Sequence, residues 1–296
     1  MTTSTESRQI RITIVVDNEA GAGLDAEHGF SLWIDTGEQR YLFDTGQGEL
    51  LLSNAATLHI DPATADAIIL SHGHYDHSGG IATLFRHGHQ FDFYCHPAAV
   101  QPRYAVRKGQ AKNLQMPREA MAALDHFPQE RLHWVQQPLL LAPGIGLTGP
   151  ILRESSFEDN GGPFFLDQAG HRPDPVDDDL ALWISTDSGM IVCVGCAHAG
   201  LINTLHQVLR QNPGQHIRTI IGGFHLLNAD RRRLESTIKE LQRLAPEQII
   251  PCHCTGEEAV NQLRHAFGRR CRPGMAGMKL SFEVQQNVEE KQQPRG

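Results

Sequence analysis

The 296-residue sequence predicts an α/β protein, an αββα sandwich in which two mixed β-sheets pack face to face with helices on both outer sides. Three observations carry this. The chain opens with alternating, β-branched runs joined by short turns, as an antiparallel sheet requires. Helices then alternate with short, wholly apolar runs, the pattern of strands buried on both faces. The second half repeats the style of the first.

Residues 10–16 alternate and are β-branched, and residues 30–35 and 41–43 follow around the turn at Gly37, with Gly21 and Gly23 marking a loop before the sheet resumes. Residues 49–59 have helical spacing, with Leu50, Leu51, Ala55 and Leu58 on one face, and Asp61-Pro62 closes the helix. The apolar run 67–70 is read as a buried strand that delivers the chain into Ser71-His72-Gly73-His74. A helix near Gly79 and a strand at 91–95 follow. Residues 97–128 are polar, partly basic and broken by Pro102 and Pro117, the composition of an inserted lid. Beyond them come strand 180–185, the turn Asp187-Ser188-Gly189, strand 190–194, helix 201–210, strand 219–222, helix 231–244, strand 248–251, a short helix and strand 279–284. One domain is therefore expected over 10–284, between polar, disordered segments at 1–9 and 285–296.

With 40% apolar residues the chain can bury a sizeable core. The net charge of −8 is spread over both signs with no charged tail, so composition supports neither nucleic-acid nor membrane binding, while a small anionic substrate stays open. Residues 1–9 lack the apolar core of a signal peptide and no run approaches the ~18 apolar residues of a membrane span, so a cytoplasmic protein is expected. Nothing sets an oligomeric state. Four of the six cysteines fall in two close pairs, Cys193 with Cys196 and Cys252 with Cys254, which suits reduced thiols or metal ligands better than disulfides.

The chemistry concentrates at strand ends. His72-Gly73-His74-Tyr75-Asp76-His77 places three imidazoles and a carboxylate in six residues, ligand types that zinc, iron and manganese accept. Cys196 and His198, then His225, then His253 follow three further strands, so one shared pocket is expected. Taken singly, each of these histidines is more often structural; as a set they read as functional.

The first cluster resembles the HxHxDH signature of the metallo-β-lactamase superfamily, and Leu42-Phe43-Asp44-Thr45-Gly46 is similar to the strand and turn preceding it there. Glu27-His28-Gly29, Gly195-Cys196-Ala197-His198-Ala199-Gly200, Gly222-Gly223-Phe224-His225-Leu226 and Pro251-Cys252-His253-Cys254-Thr255-Gly256 resemble a subgroup named for an archaeal dihydropterin/ribofuranosylaminobenzene phosphate synthase of the methanopterin pathway. The resemblance implies a metallo-β-lactamase fold and two divalent ions, zinc with iron or manganese as alternatives. It implies that His72, His74 and His198 hold one ion and Asp76, His77 and His253 the other, with Asp44 orienting a ligand imidazole. Cys196 stands where most members carry a bridging aspartate, and is ligand, bridge or neither. The usual third histidine is not evident, and Asp177, Asp178 and Asp179 stand in its region. Metal-activated hydroxide is the implied reagent, with Asp76 and His225 as catalytic residues, His225 donating a proton or binding a phosphate, and Arg153 holding an anionic group of the substrate. Arg103, Arg107, Lys108 and Lys112 read as a solvated face of the lid.

Three functions compete: a hydrolase of a small phosphate ester, a carbon–carbon bond-forming synthase of the subgroup's kind, and a non-catalytic zinc protein using the two cysteine pairs. Strand alternation turns Cys193 away from the loop that carries Cys196, which argues against the last.

Overall fold

The computed structural model describes residues 7–87 and 90–285. A seven-stranded sheet runs in the order Lys279–Gln285, Ser7–Val16, Ser31–Asp35, Arg40–Phe43, Ala67–Ile69, Asp92–Cys95, Leu132–Trp134. Its first four strands are antiparallel and the rest parallel. A six-stranded sheet runs Gln248–Cys252, Ile217–Gly223, Gly189–Val194, Ala181–Thr186, Ile145–Leu147, Leu139–Ala142, with the first three parallel. Both sheets are mixed.

Period-two alternation builds the layers. Ile10, Ile12, Ile14, Tyr41, Phe43 and Ile69 meet Leu182, Ile184, Ile191, Ile221 and Ile250 between the sheets. Their neighbours Leu42 and Ile68 face outward onto the helices at Leu51–Thr57 and Ile81–His87, while Val192, Val194, Ile220 and Ile249 face those at Leu201–Gln211, Arg231–Leu244 and Glu257–Phe267. Strands apolar on both faces are thus needed on both sheets, and each such side chain contributes about 1.5–3 kcal/mol on burial. Cys193 and Cys252 lie in the inter-sheet core.

Three expectations need correction. Ser7, Arg8 and Gln9 pair with Gln285, Val284 and Glu283, so both terminal strands extend beyond the bounds read from sequence, because a backbone ladder accepts polar side chains at an edge. Residues 1–6 and 286–296 lie outside the described residues. The stretch 97–128 is not one lid. Its second part forms helix Arg118–Asp125, whose Ala120 and Leu124, with Met116 and Phe127, pack against Leu84, Phe85, Phe91 and Phe93. Only the hairpin Tyr104–Arg107/Gln110–Asn113, joined by Phe164–Phe165 into a small third sheet, stands over the strand ends. Arg103 is not on a solvated face: it is 1% exposed, with Asp178 Oδ1 at 2.5 Å and Asp174 Oδ2 at 3.3 Å. Among the described residues no helix is long and apolar enough to cross a membrane.

Candidate metal centre

Strand Ala67–Ile69 ends at Leu70, and the chain crosses to the open end of the sandwich through His72 and His74. Gly73 between them is forced: a Cβ there would stand 1.9 Å from the Ala99 carbonyl oxygen. Its N–H donates to Asp178 Oδ2 at 2.7 Å, so the buried Arg103–Asp178 pair also holds this loop. The chain then turns into the short helix Tyr75–Ser78, which sends Asp76 and His77 in new directions.

Two groups of candidate donors result. His72, His74 and His198 bring donor atoms within 4.8 Å of one another, with His72 Nε2 3.0 Å from His74 Nδ1. Beside them His253 Nε2 lies 3.3 Å from His77 Nε2 and 3.4 Å from Asp76 Oδ2. Nitrogens sharing a tetrahedral zinc at ~2.0–2.1 Å stand roughly 3.3–3.4 Å apart; the His77–His253 spacing matches this, and the 3.0 Å between His72 and His74 is slightly shorter. His198 Nε2 is buried without a hydrogen-bond partner, an orphan that a cation would satisfy. Burial, and then the surrounding histidines, push His72 and His198 well below the ordinary histidine range; burial and then the charge of Arg103 do the same for His74. These rings are neutral at pH 7, the form that binds metal. Asp76 is held well below the usual carboxylate range, burial being outweighed by hydrogen bonds from His253 and His28.

Asp44 orders the protons of both sets. Its Oδ1 accepts the Ser71 N–H at 2.7 Å, and its Oδ2 accepts both the Ser71 hydroxyl and His77 Nδ1 at 2.7 Å. A carboxylate only accepts. His77 therefore keeps a proton on Nδ1, and when the ring is neutral its lone pair lies at Nε2, turned toward His253. The Ser71 hydroxyl, donating to Asp44, accepts from His72 Nδ1 at 2.9 Å, which frees His72 Nε2 in turn. One carboxylate thus sets the tautomer of a ligand in each set. Without metal, burial works against a charge on His77, but Asp44 carries it up to about 9.

A cavity of about 350 Å³ opens above both sets, its wall including His28, Tyr75, Arg107, Lys112, His225 and Asn228. Arg107 and Lys112 therefore face the site from the hairpin, and Lys112 Nζ donates to the Tyr75 hydroxyl at 3.1 Å. The His225 ring lies 4.2 Å from that of His198. Cys196 Sγ lies 3.2 Å from His77 Nε2 and 3.2 Å from Cys254 Sγ. Arg153 is placed elsewhere. It donates to the carbonyls of His198 at 2.7 Å, Val176 at 3.2 Å and Pro175, bracing the backbone behind His198 and lining a different hollow.

Two residues that the sequence singled out, His28 in a motif and Cys254 in a close pair, meet partners it did not indicate. His28 Nε2 lies 3.0 Å from Asp76 Oδ2, and Cys254 faces Cys196; neither has a spacing signal, since each meets its partner only through the fold. Non-glycine residues at positive φ mark the same loops: Asp44 at 61°, Ala197 at 50°, His225 at 46° and His253 at 47°. Such strain concentrates where side chains must be aimed.

A sequence profile of the metallo-beta-lactamase superfamily matches residues 24–253. The chain is 31% identical to the 7,8-dihydropterin-6-methyl-4-(beta-D-ribofuranosyl)-aminobenzene-5'-phosphate synthase of Methanocaldococcus jannaschii, over 92% of this chain and 97% of that protein. The solved structure of Tm1679, described as a metal-dependent hydrolase of the beta-lactamase superfamily, matches with a TM-score of 0.78 at 29% identity, over 92% of this chain and 98% of the other. YhfI of Bacillus subtilis, a metallo-beta-lactamase fold protein, matches in fold alone, with a TM-score of 0.56 at 13% identity over 93% of this chain and all of that one. Profile, relatives and sandwich agree, and the chain belongs to the metallo-β-lactamase superfamily.

Proposed function

We propose that this protein is a dinuclear metal-dependent hydrolase of a small phosphate ester or related anion. The observation that carries the reading is the convergence of His72, His74 and His198 with His253 and its neighbours His77 and Asp76 on the floor of one cavity whose wall presents Arg107 and Lys112. His72, His74 and His198 hold one ion, and Asp76, His77 and His253 the other, zinc fitting the donors best with iron or manganese as alternatives. Bound there, the ions supply Lewis acidity, acidifying water and neutralising charge on the phosphoryl group. The chain's own residues do the rest. Arg107 and Lys112 bind the anionic group, His225 in the same cavity wall donates a hydrogen bond to it, and Asp76, ionised and facing the cavity, takes up the proton of the attacking water. Arg153 keeps His198 in register through its carbonyl, acting on the backbone where the sequence suggested direct contact with substrate.

A second reading is a carbon–carbon bond-forming synthase, in which the ions would stabilise a departing pyrophosphate; the 31% identical relative named as a synthase supports the synthase class. The same cavity suits it, since either reaction needs phosphate oxygens held against cations. Purified protein assayed for metal and incubated with phosphomonoesters and phosphodiesters separates the two: phosphate or alcohol released from a single substrate supports the hydrolase. Turnover only with a second, carbon-nucleophile substrate supports the synthase. Full activity in metal-free protein refutes both.

A further inference from the structure

The fold re-pairs the cysteines that the sequence groups by proximity. Cys193 and Cys252 fill the core between the sheets, while Cys196 and Cys254, from separate strand-end loops, meet at the cavity floor with their sulfurs 3.2 Å apart. Both are buried and both are free thiols, since a disulfide would bring the sulfurs to ~2.0 Å. His225 completes the group, and the donor atoms of Cys196, Cys254 and His225 all lie within 4.8 Å of one another. His225 Nδ1 is buried and has no hydrogen-bond partner among the described residues.

The space for this group is built into the backbone. A Cβ at Gly223 would stand 2.6 Å from Cys254 Sγ and 2.6 Å from the Gly195 carbonyl, so only glycine lets the second thiol reach the first. A buried cysteine that merely fills space sits among apolar side chains, as Cys193 and Cys252 do. Cys196 instead touches Nε2 of His77, at the edge of the neighbouring donor set, and Cys254 touches Cys196. Two thiols and an imidazole are the donors of a borderline-soft ion, a chemistry different from the imidazole and carboxylate sets beside them. A tetrahedral ion with Zn–S of ~2.3 Å holds two sulfurs roughly 3.8 Å apart, which the pair reaches by a small side-chain rotation.

We propose that Cys196, Cys254 and His225 form a thiolate site for a zinc-class ion on the cavity floor, against the His77 nitrogen that Cys196 also meets. Binding exchanges the two S–H protons for the ion and occupies one ring nitrogen of His225, leaving the other to donate to the substrate. The site adjoins the centre of the proposed function, and the test distinguishes failure of one from failure of the other.

Reduced, metal-free protein is titrated with cadmium, and in parallel with cobalt(II), while thiolate-to-metal charge-transfer absorption is recorded and bound metal is counted. The unmodified protein shows the band. Cys196→Ser and Cys254→Ser each lose about half of it, the double variant loses all of it, and His225→Gln needs roughly tenfold more cadmium for half-saturation, the loss of one of three donors. His74→Ala and Asp76→Ala, each disabling one of the other ligand sets, keep the band. Ions bound without any charge-transfer band overturn the thiolate site and leave the proposed function standing, and so does a band indifferent to Cys254→Ser. Because a serine variant can fail to fold, labelling of the unmodified zinc-loaded protein supplies a second measurement: Cys196 and Cys254 resist iodoacetamide until a chelator is added. Equal labelling with and without chelator, or a disulfide joining the two in the protein as purified, overturns the proposal.

Discussion

Replacing Asp44 by asparagine tests how the protons of the centre are ordered. Asparagine keeps the size of the side chain and tolerates the left-handed backbone at this position, φ 61°, so the loop is retained. The change lies in one donor. If the amide oxygen stays on the Ser71 N–H, the new NH₂ faces His77 Nδ1, 2.7 Å away in the native arrangement, where a second donor already points. The reverse orientation sets NH₂ against the backbone N–H of Ser71, which cannot change its protonation. The imidazole can. His77 therefore moves its proton to Nε2, the nitrogen aimed at His253, and loses its lone pair for metal. Undoing this costs one hydrogen bond to a charged acceptor, about 1.5–3 kcal/mol. At 1.4 kcal/mol per decade, zinc affinity falls about 10–100-fold, and the relay through Ser71 to His72 carries part of that loss to the other set. Asp44→Ala differs in kind, leaving the Ser71 N–H unsatisfied for about 1–3 kcal/mol and placing a Cβ residue without a polar anchor at positive φ. The assay is zinc competition against a chromophoric chelator, paired with thermal melting of the metal-free proteins. Zinc affinity for Asp44→Asn within about twofold of the native value, at an unchanged melting temperature, would refute the proton-ordering argument.

Four further outcomes are expected. Asp76→Ala lowers bound metal by about one ion per chain and preserves the circular-dichroism spectrum; unchanged metal content excludes Asp76 as a ligand. The double substitution Arg107→Ala, Lys112→Ala raises KM for a phosphate ester by about tenfold and moves kcat by less than about threefold, because it removes binding shared by ground and transition states; an unaltered KM removes the hairpin from substrate recognition. Burial pushes the Asp179 carboxyl up to about 7 in the folded chain, whereas the unfolded carboxyl titrates near its ordinary value, so stability falls as pH rises from about 4 to about 7. Asp179→Asn keeps an acceptor for the Ala199 N–H, 2.6 Å away, and its melting-temperature advantage in metal-free protein grows from pH 5 to pH 8; a pH-independent offset contradicts this. Gly73→Ala forces a methyl against the Ala99 backbone and destabilises by about 1–3 kcal/mol or more, with loss of metal from the His72 set; a native melting curve and native metal content rule out the packing argument.

The two sheets and the HxHxDH cluster were legible because each is written locally. Alternation in Ile10–Val16 and the apolar run ending at Leu70 state their burial within a few residues, and His72 to His77 state their chemistry within six. What depended on partners far along the chain was not legible. His28 joins Asp76, Arg103 joins Asp174 and Asp178, and Cys254 joins Cys196, none through any spacing in the sequence. For the cysteines, alternation set Cys193 apart from Cys196, but the partner of Cys196 was not legible: Cys193 and Cys252 lie in strands that pack in the core, while Cys196 and Cys254 lie in the loops beyond those strands and meet only through the fold. Polarity misled in 97–128, where Met116, Ala120, Leu124 and Phe127 keep a helical apolar stripe among prolines and charges. Strands Leu132–Trp134, Leu139–Ala142 and Ile145–Leu147 are too short for periodicity to show. Arg153 was assigned to substrate by resemblance, and its hydrogen bonds go instead to backbone carbonyl groups.

The pairing of the first strand with the last has a consequence for biogenesis. Ser7–Val16 lies between Ser31–Asp35 and Lys279–Gln285, and His77 meets His253 across 176 residues of chain. Contacts of such long range close late and slow the search for the native state. A ribosome delivers His72 and His74 early, His198 much later, and His253 shortly before the strand that seals the first sheet. The candidate donors therefore come together only once the final strands have been made, and a chain cut short before Lys279 forfeits the sheet edge while still carrying His72, His74, His77, His198 and His253.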